Sequence, residues 1–104
     1  MYNKNDVIRM FVNNERLSTN TILKGSNLLA YYIKGTNKRV LKNYSTIIAL
    51  VDCNKNYNKV ILNDDHYSQT TTRNQNLIKF YASVSGCELE SVDESTIYKL
   101  IEEE

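Results

Sequence analysis

The sequence predicts a single α+β domain: a small antiparallel sheet of three or four strands, with an N-terminal helix before it and two C-terminal helices after it. Two observations carry that expectation. β-Branched and aromatic residues crowd the middle of the chain between turn residues, as in Leu28-Leu29-Ala30-Tyr31-Tyr32-Ile33 and Ile47-Ile48-Ala49-Leu50-Val51, which suits strands. Near both ends the apolar residues instead recur at spacings of three and four, which suits helices packed on one face of that sheet. No repeat, heptad array or linker divides the 104 residues, so 1–104 reads as one domain.

Asn5-Asp6 precedes Val7, Ile8, Met10, Phe11 and Val12, the pattern of a capped amphipathic helix running from about Asp6 to Leu17. Thr21 to Asn27 carries a Lys-Gly-Ser turn signal. The strand from Leu28 to Ile33 follows and is closed by Gly35-Thr36-Asn37. Arg39-Val40-Leu41 leads into the central strand, Tyr44 to Val51. A polar loop with Asn54, Asn56 and Asn58, residues that tolerate left-handed backbone, then opens a wide hairpin to Val60-Ile61-Leu62. Downstream, Leu77, Phe80, Tyr81 and Val84 fall at i, i+3, i+4 and i+7, one apolar helix face, and Gly86 stops that helix. Ser91-Val92-Asp93-Glu94 reads as a capping box before Ile97, Tyr98, Leu100 and Ile101, a last helix ending in solvated Glu102 to Glu104.

The hydrophobic fraction of 41% and charged fraction of 24% are those of a chain that folds. A net charge of +1 lies far from the strongly basic balance of a dedicated nucleic-acid binder, although acidic residues gather at the C-terminal end. Cys53 and Cys87 form no CxxC pair, and the single histidine, His66, completes no zinc quartet with them, so neither a metal nor a cofactor is expected. No signal-peptide run is present, and the longest apolar stretch is too short to cross a bilayer. These features predict a cytoplasmic protein with reduced thiols and no membrane partner.

Between the returning strand and the next helix stands HYSQTTTRNQN, residues 66–76, a polar run set between two segments suited to a core. Ser68, Thr70, Thr71 and Thr72 are all candidates to cap the helix, and one cap is enough. The surplus of hydroxyls beside Arg73, at a helix end with unpaired amides, suits an anionic or polar partner. Tyr67, Ser68, Thr70, Thr71, Arg73, Gln75 and Asn76 are therefore the candidate partner-binding residues. The plainer reading is a polar surface turn whose Tyr67 points into the core. Asp64, Asp65 and His66 are the only grouping that suggests catalysis, and a loop of this kind is a weak signal, so a non-enzymatic protein is expected. An alternative is a small nucleic-acid-binding regulator that uses Lys34, Lys38, Arg39 and Lys42 with tyrosines such as Tyr31, Tyr32, Tyr44 and Tyr57.

The segment Tyr44-Ser-Thr46-Ile-Ile48-Ala49, then Leu62-Asn63, then Tyr67-Ser68-Gln-Thr70-Thr71-Thr-Arg73-Asn-Gln75-Asn76 resembles a pattern in short uncharacterised phage and prophage proteins of low-GC Gram-positive bacteria. It covers roughly the middle third of the chain. The resemblance implies a host protein as partner, in the neighbourhood of anti-CRISPR and other anti-defence proteins that act on targets such as a CRISPR effector. In that setting the acidic C-terminal end would serve as a nucleic-acid mimic. An exposed edge strand also offers a route to a homodimer.

Overall fold

The computed structural model describes residues 2–13 and 18–103. The chain runs α1 (Lys4–Asn13), β1 (Ile22–Gly25), β2 (Leu28–Tyr32), β3 (Lys38–Asn43), β4 (Thr46–Asp52), α2 (Cys53–Asn56), β5 (Lys59–Asn63), α3 (Gln69–Val84), β6 (Glu88–Val92) and α4 (Glu94–Glu102). The six strands stand in chain order across one sheet. Neighbours are antiparallel from β1 to β5, and β6 lies parallel to β5.

The expected sheet of three or four antiparallel strands is thus corrected to a six-stranded mixed sheet. The parallel pair follows from connectivity: β5, α3 and β6 form a crossover, and the 16-residue α3 returns the chain to the end of the sheet where β5 began. β6 reads Glu-Leu-Glu-Ser-Val and is mostly exposed, so it shows none of the apolar enrichment that marks a half-buried strand. Ser91 belongs to this strand, and the cap of α4 is Asp93, whose Oδ1 accepts from the Thr96 amide at 2.8 Å. That arrangement holds the Asp93 carboxyl below its ordinary value, chiefly through its hydrogen bonds to Thr96.

The first helix begins with Asn3 accepting from the Asp6 amide at 2.8 Å, and it is described to Asn13; the expected continuation to Leu17 lies outside the described residues. The segment from 21 to 27 holds a strand as well as the expected turn. Arg39-Val40-Leu41 belongs to β3, which turns into β4 through Tyr44 at a positive φ of 53°. The polar hairpin loop winds into the single turn of α2, capped by Asp52, whose Oδ1 accepts from Asn54 N at 3.1 Å.

Helices cover both faces of the sheet, not one. α1 and α3 close the larger core over Leu23, Leu28, Ala30, Leu41, Val51, Val60 and Leu62. α4 lies on the opposite face, where Ile97 packs with Val40 and Leu50. The register shift beside Leu41 leaves Ile48 as an extra residue of β4 between Ile47 and Ala49, so adjacent Ile48 and Ala49 both serve the α1 and α3 side. At Gly25 a Cβ would collide with the Tyr2 carbonyl oxygen, which explains why the β1 to β2 turn enters through glycine. Among the described residues, no helix is long and apolar enough to cross a membrane, and both cysteines are free.

Candidate functional site

α3 starts where the polar run predicts a cap. Ser68 is the N-cap, and its Oγ accepts from the Thr71 amide at 3.2 Å. The helix buries Thr71, Asn74, Gln75, Ile78 and Ala82, a set with helical spacing in which the first three members are polar. Asn74 is 2% exposed and Gln75 3%. Their side chains reach the sheet: Asn43 Nδ2 donates to Thr71 Oγ1 at 3.0 Å, and Asn74 Nδ2 donates to Asn43 Oδ1 at 2.7 Å.

Gln75 occupies the more consequential position. Its Nε2 donates to the Asn63 carbonyl at 2.7 Å and to the Asp65 carbonyl at 2.9 Å, filling two acceptors at the end of β5. The Asn63 side chain in turn donates to the Ile47 carbonyl at 3.0 Å and to Tyr67 Oη at 2.9 Å. Tyr67 donates its hydroxyl to the Glu94 carboxylate, and Asp65 Oδ2 accepts the Glu94 amide at 2.9 Å. The sheet end, the start of α3 and the start of α4 are one hydrogen-bonded joint.

The opposite side of α3 is polar in its first half and carries two exposed apolar residues in its second. Phe80 is 57% exposed and Val84 68%, although the expected apolar face Leu77-Phe80-Tyr81-Val84 assigned both to the core side. Leu77 and Tyr81 pack half-buried at the edge of the larger core, and Phe80 sits edge-on to Tyr81 at 5.2 Å. The polar anchors to Asn43, Asn63 and Asp65 set the helix rotation, and that rotation turns Phe80 and Val84 outward. Arg73, Asn76, Phe80 and Val84, at steps of three, four and four, form a continuous outward stripe with Thr70 beside its start.

The seven candidate partner-binding residues therefore divide. Ser68, Thr70, Arg73 and Asn76 are exposed and Tyr67 is half-buried, whereas Thr71 and Gln75 point inward and are engaged by the joint. Phe80 and Val84 belong to the same surface and were missed because their spacing reads as a core face.

The basic quartet divides as well. Lys34 is exposed and Lys42 half-buried, but Lys38 and Arg39 are buried. Lys38 Nζ donates to the carbonyls of Leu100 at 2.8 Å, Ile101 at 3.2 Å and Glu103, closing the negative end of α4. Arg39, 1% exposed, donates from Nε to the Phe11 carbonyl at 2.9 Å, with its guanidinium 5.4 Å from the Phe11 ring centroid. Their positive charges are structural pins between layers. Tyr31 and Tyr32 face opposite sides of the sheet, in the α4 and α1 layers respectively.

Asp64 pairs with Lys79 at 3.3 Å, Asp65 is held by the joint, and His66 is exposed. At the C-terminal end Glu103 pairs with Lys55 at 2.8 Å, which holds its carboxyl below the ordinary value; Glu104 lies outside the described residues. No protein-family profile matches the chain, and no significant match is found to a curated protein or to a solved structure.

Gln75→Leu keeps the approximate volume and removes the donor to the buried Asn63 carbonyl and the half-buried Asp65 carbonyl; it is expected to lower stability by about 1–3 kcal/mol. Urea unfolding reads this, and an unchanged midpoint and slope would contradict the joint. Burial, reinforced by the hydrogen bond to Glu94, pushes the Tyr67 phenol from 10.0 up to about 12. The folded state prefers the neutral phenol, so this support is present below about pH 10 and is lost as pH rises towards about 12. The unfolding midpoints of the unsubstituted protein and Tyr67→Phe should converge across that window; midpoints that stay parallel would contradict the linkage.

Proposed function

We propose that this protein works by binding and not by turnover, as a phage-type accessory protein that occupies and inhibits a host defence protein, with a CRISPR effector as the leading target class. The observation that supports binding is the inversion of α3. This helix buries an asparagine, a glutamine and a threonine while presenting a phenylalanine and a valine to solvent. Scattered exposed apolar residues are ordinary, but an aligned pair on a helix whose other face is anchored by polar groups is a surface suited to a protein groove. Arg73, Asn76 and Thr70 extend it with hydrogen-bonding groups, giving an apolar centre with a polar end.

The target class comes from the resemblance of residues 44–76 to phage and prophage proteins. Tyr67, Thr71 and Gln75, which help to carry that resemblance, build the joint, so they speak first for a shared fold. The nucleic-acid reading draws less support, because Lys38 and Arg39 are committed inside the protein.

The test is capture from a nuclease-treated lysate of a low-GC Gram-positive host with active defence systems, using the unsubstituted protein beside a Phe80→Ser/Val84→Ser variant and Arg73→Ala. A stoichiometric defence protein is expected, its recovery reduced at least about tenfold by the double substitution, which touches exposed side chains and leaves folding intact. Equal recovery with the variant would overturn α3 as the contact surface, and nucleic acid as the sole partner would overturn the proposal.

A further inference from the structure

β6 ends the sheet on one side, and its backbone orientation can be read from its partners. The Glu88 amide donates to the Asn58 carbonyl at 2.9 Å, and the Val92 carbonyl accepts from the Asp64 amide at 2.9 Å. Residues of even number thus direct their backbone groups to β5, and by alternation Leu89 and Ser91 direct theirs away from the sheet. The other edge differs: there the Tyr2 amide donates to the Lys24 carbonyl at 3.1 Å, so the chain itself meets β1.

The side chains of β6 are sorted by face. Leu89 pairs in register with Val60 and shares the side of the sheet on which α3 packs and which carries exposed Phe80 and Val84. Glu88 and Glu90 fall on the opposite side, with Glu90 2.9 Å from Lys59. β6 itself carries two carboxylates, Glu88 and Glu90, and no basic residue, and Asp93 and Glu94 follow it, so the charged side chains that this strand brings to the edge are acidic.

We propose that the free edge of β6 receives an extended segment of a protein partner as a seventh strand, and that the segment alternates apolar residues with lysine or arginine. The inference rests on the binding function proposed above and names the partner's chemistry. Backbone hydrogen bonds to Leu89 and Ser91 provide register, apolar side chains meet Leu89 on the α3 side, and basic side chains meet Glu88 and Glu90 on the other. A second copy of the chain fits poorly. Antiparallel β6 pairing centred on Glu90 sets that carboxylate against itself, and pairing centred on Leu89 sets Glu88 against Glu90.

The probe is a short capped peptide of alternating lysine and valine added to the full chain, read by amide hydrogen exchange. Exchange at Leu89 and Ser91 is expected to slow at least about tenfold at saturating peptide. Ser91→Pro removes an outward N–H without touching the β5 ladder and is expected to abolish that binding. A peptide N-methylated on its edge-facing amides, and one with glutamate for lysine, should fail on the unsubstituted protein. Binding without slowed exchange at Leu89 and Ser91, equal binding of either control peptide, or no binding up to millimolar peptide would overturn the proposal. Host-protein capture that persists while the peptide fails sinks the edge-strand inference alone. Peptide binding that persists while Phe80→Ser/Val84→Ser leaves capture unchanged sinks the α3 surface alone.

Discussion

The carbonyl oxygens of Asn63 and Asp65 stand at the end of β5, where the strand ladder stops, and the carboxamide of Gln75 donates to both. Without that donor both oxygens would lack their side-chain partner, and the buried Asn63 carbonyl alone would cost about 1–3 kcal/mol if left unpaired. With it, the rotation of α3 about its axis is fixed to the sheet. Everything that distinguishes the surface follows: Ile78 and Ala82 meet the core below Gln75, while Arg73, Asn76, Phe80 and Val84 face solvent.

The same preference for polar attachment recurs at α4. This nine-residue helix buries only Ile97 fully, so apolar packing alone gives it a small hold on the sheet. Polar groups grip it along its length. Asp65 and Tyr67 take its first residue, Tyr98 Oη accepts the Ile47 amide at 3.1 Å, and Lys38 closes its last carbonyls. A charged side chain used this way is withdrawn from partners, which is why a basic run in the sequence leaves a smaller basic surface in the fold.

The chemistry of individual residues decided what the sequence could show. β2 is apolar and aromatic and β4 and β5 are rich in β-branched residues, so their positions were legible; Ser68 as a cap and Gly86 as a helix stop, with φ 71°, were legible for equally local reasons. β6 was hidden because an edge strand exposed on both faces needs no hydrophobic signal. Apolar spacing in α3 points inward through Phe80 and Val84, whereas the inner face is carried by Thr71, Asn74 and Gln75 with Ile78 and Ala82. One signal was available: those three polar residues share the period of Ile78 and Ala82, and Asn43 and Asn63 at strand ends are natural partners for them. Of the candidate site, Ser68, Thr70, Arg73 and Asn76 stand on the surface and Thr71 and Gln75 within it, a division that depends on distant strand ends and is invisible locally.

A helix anchored to the sheet by polar side chains, with Phe80 and Val84 on its solvent side, links the fold to the proposed binding role. The most direct measurement of that inversion is solvent paramagnetic relaxation along α3, using a soluble, uncharged paramagnetic probe. Strong enhancement is expected at the side chains of Arg73, Asn76, Phe80 and Val84, and protection at Thr71, Asn74, Gln75 and Ile78. Protection of Phe80 and Val84 with strong enhancement at Gln75 would contradict it, and would return the apolar stripe to the core.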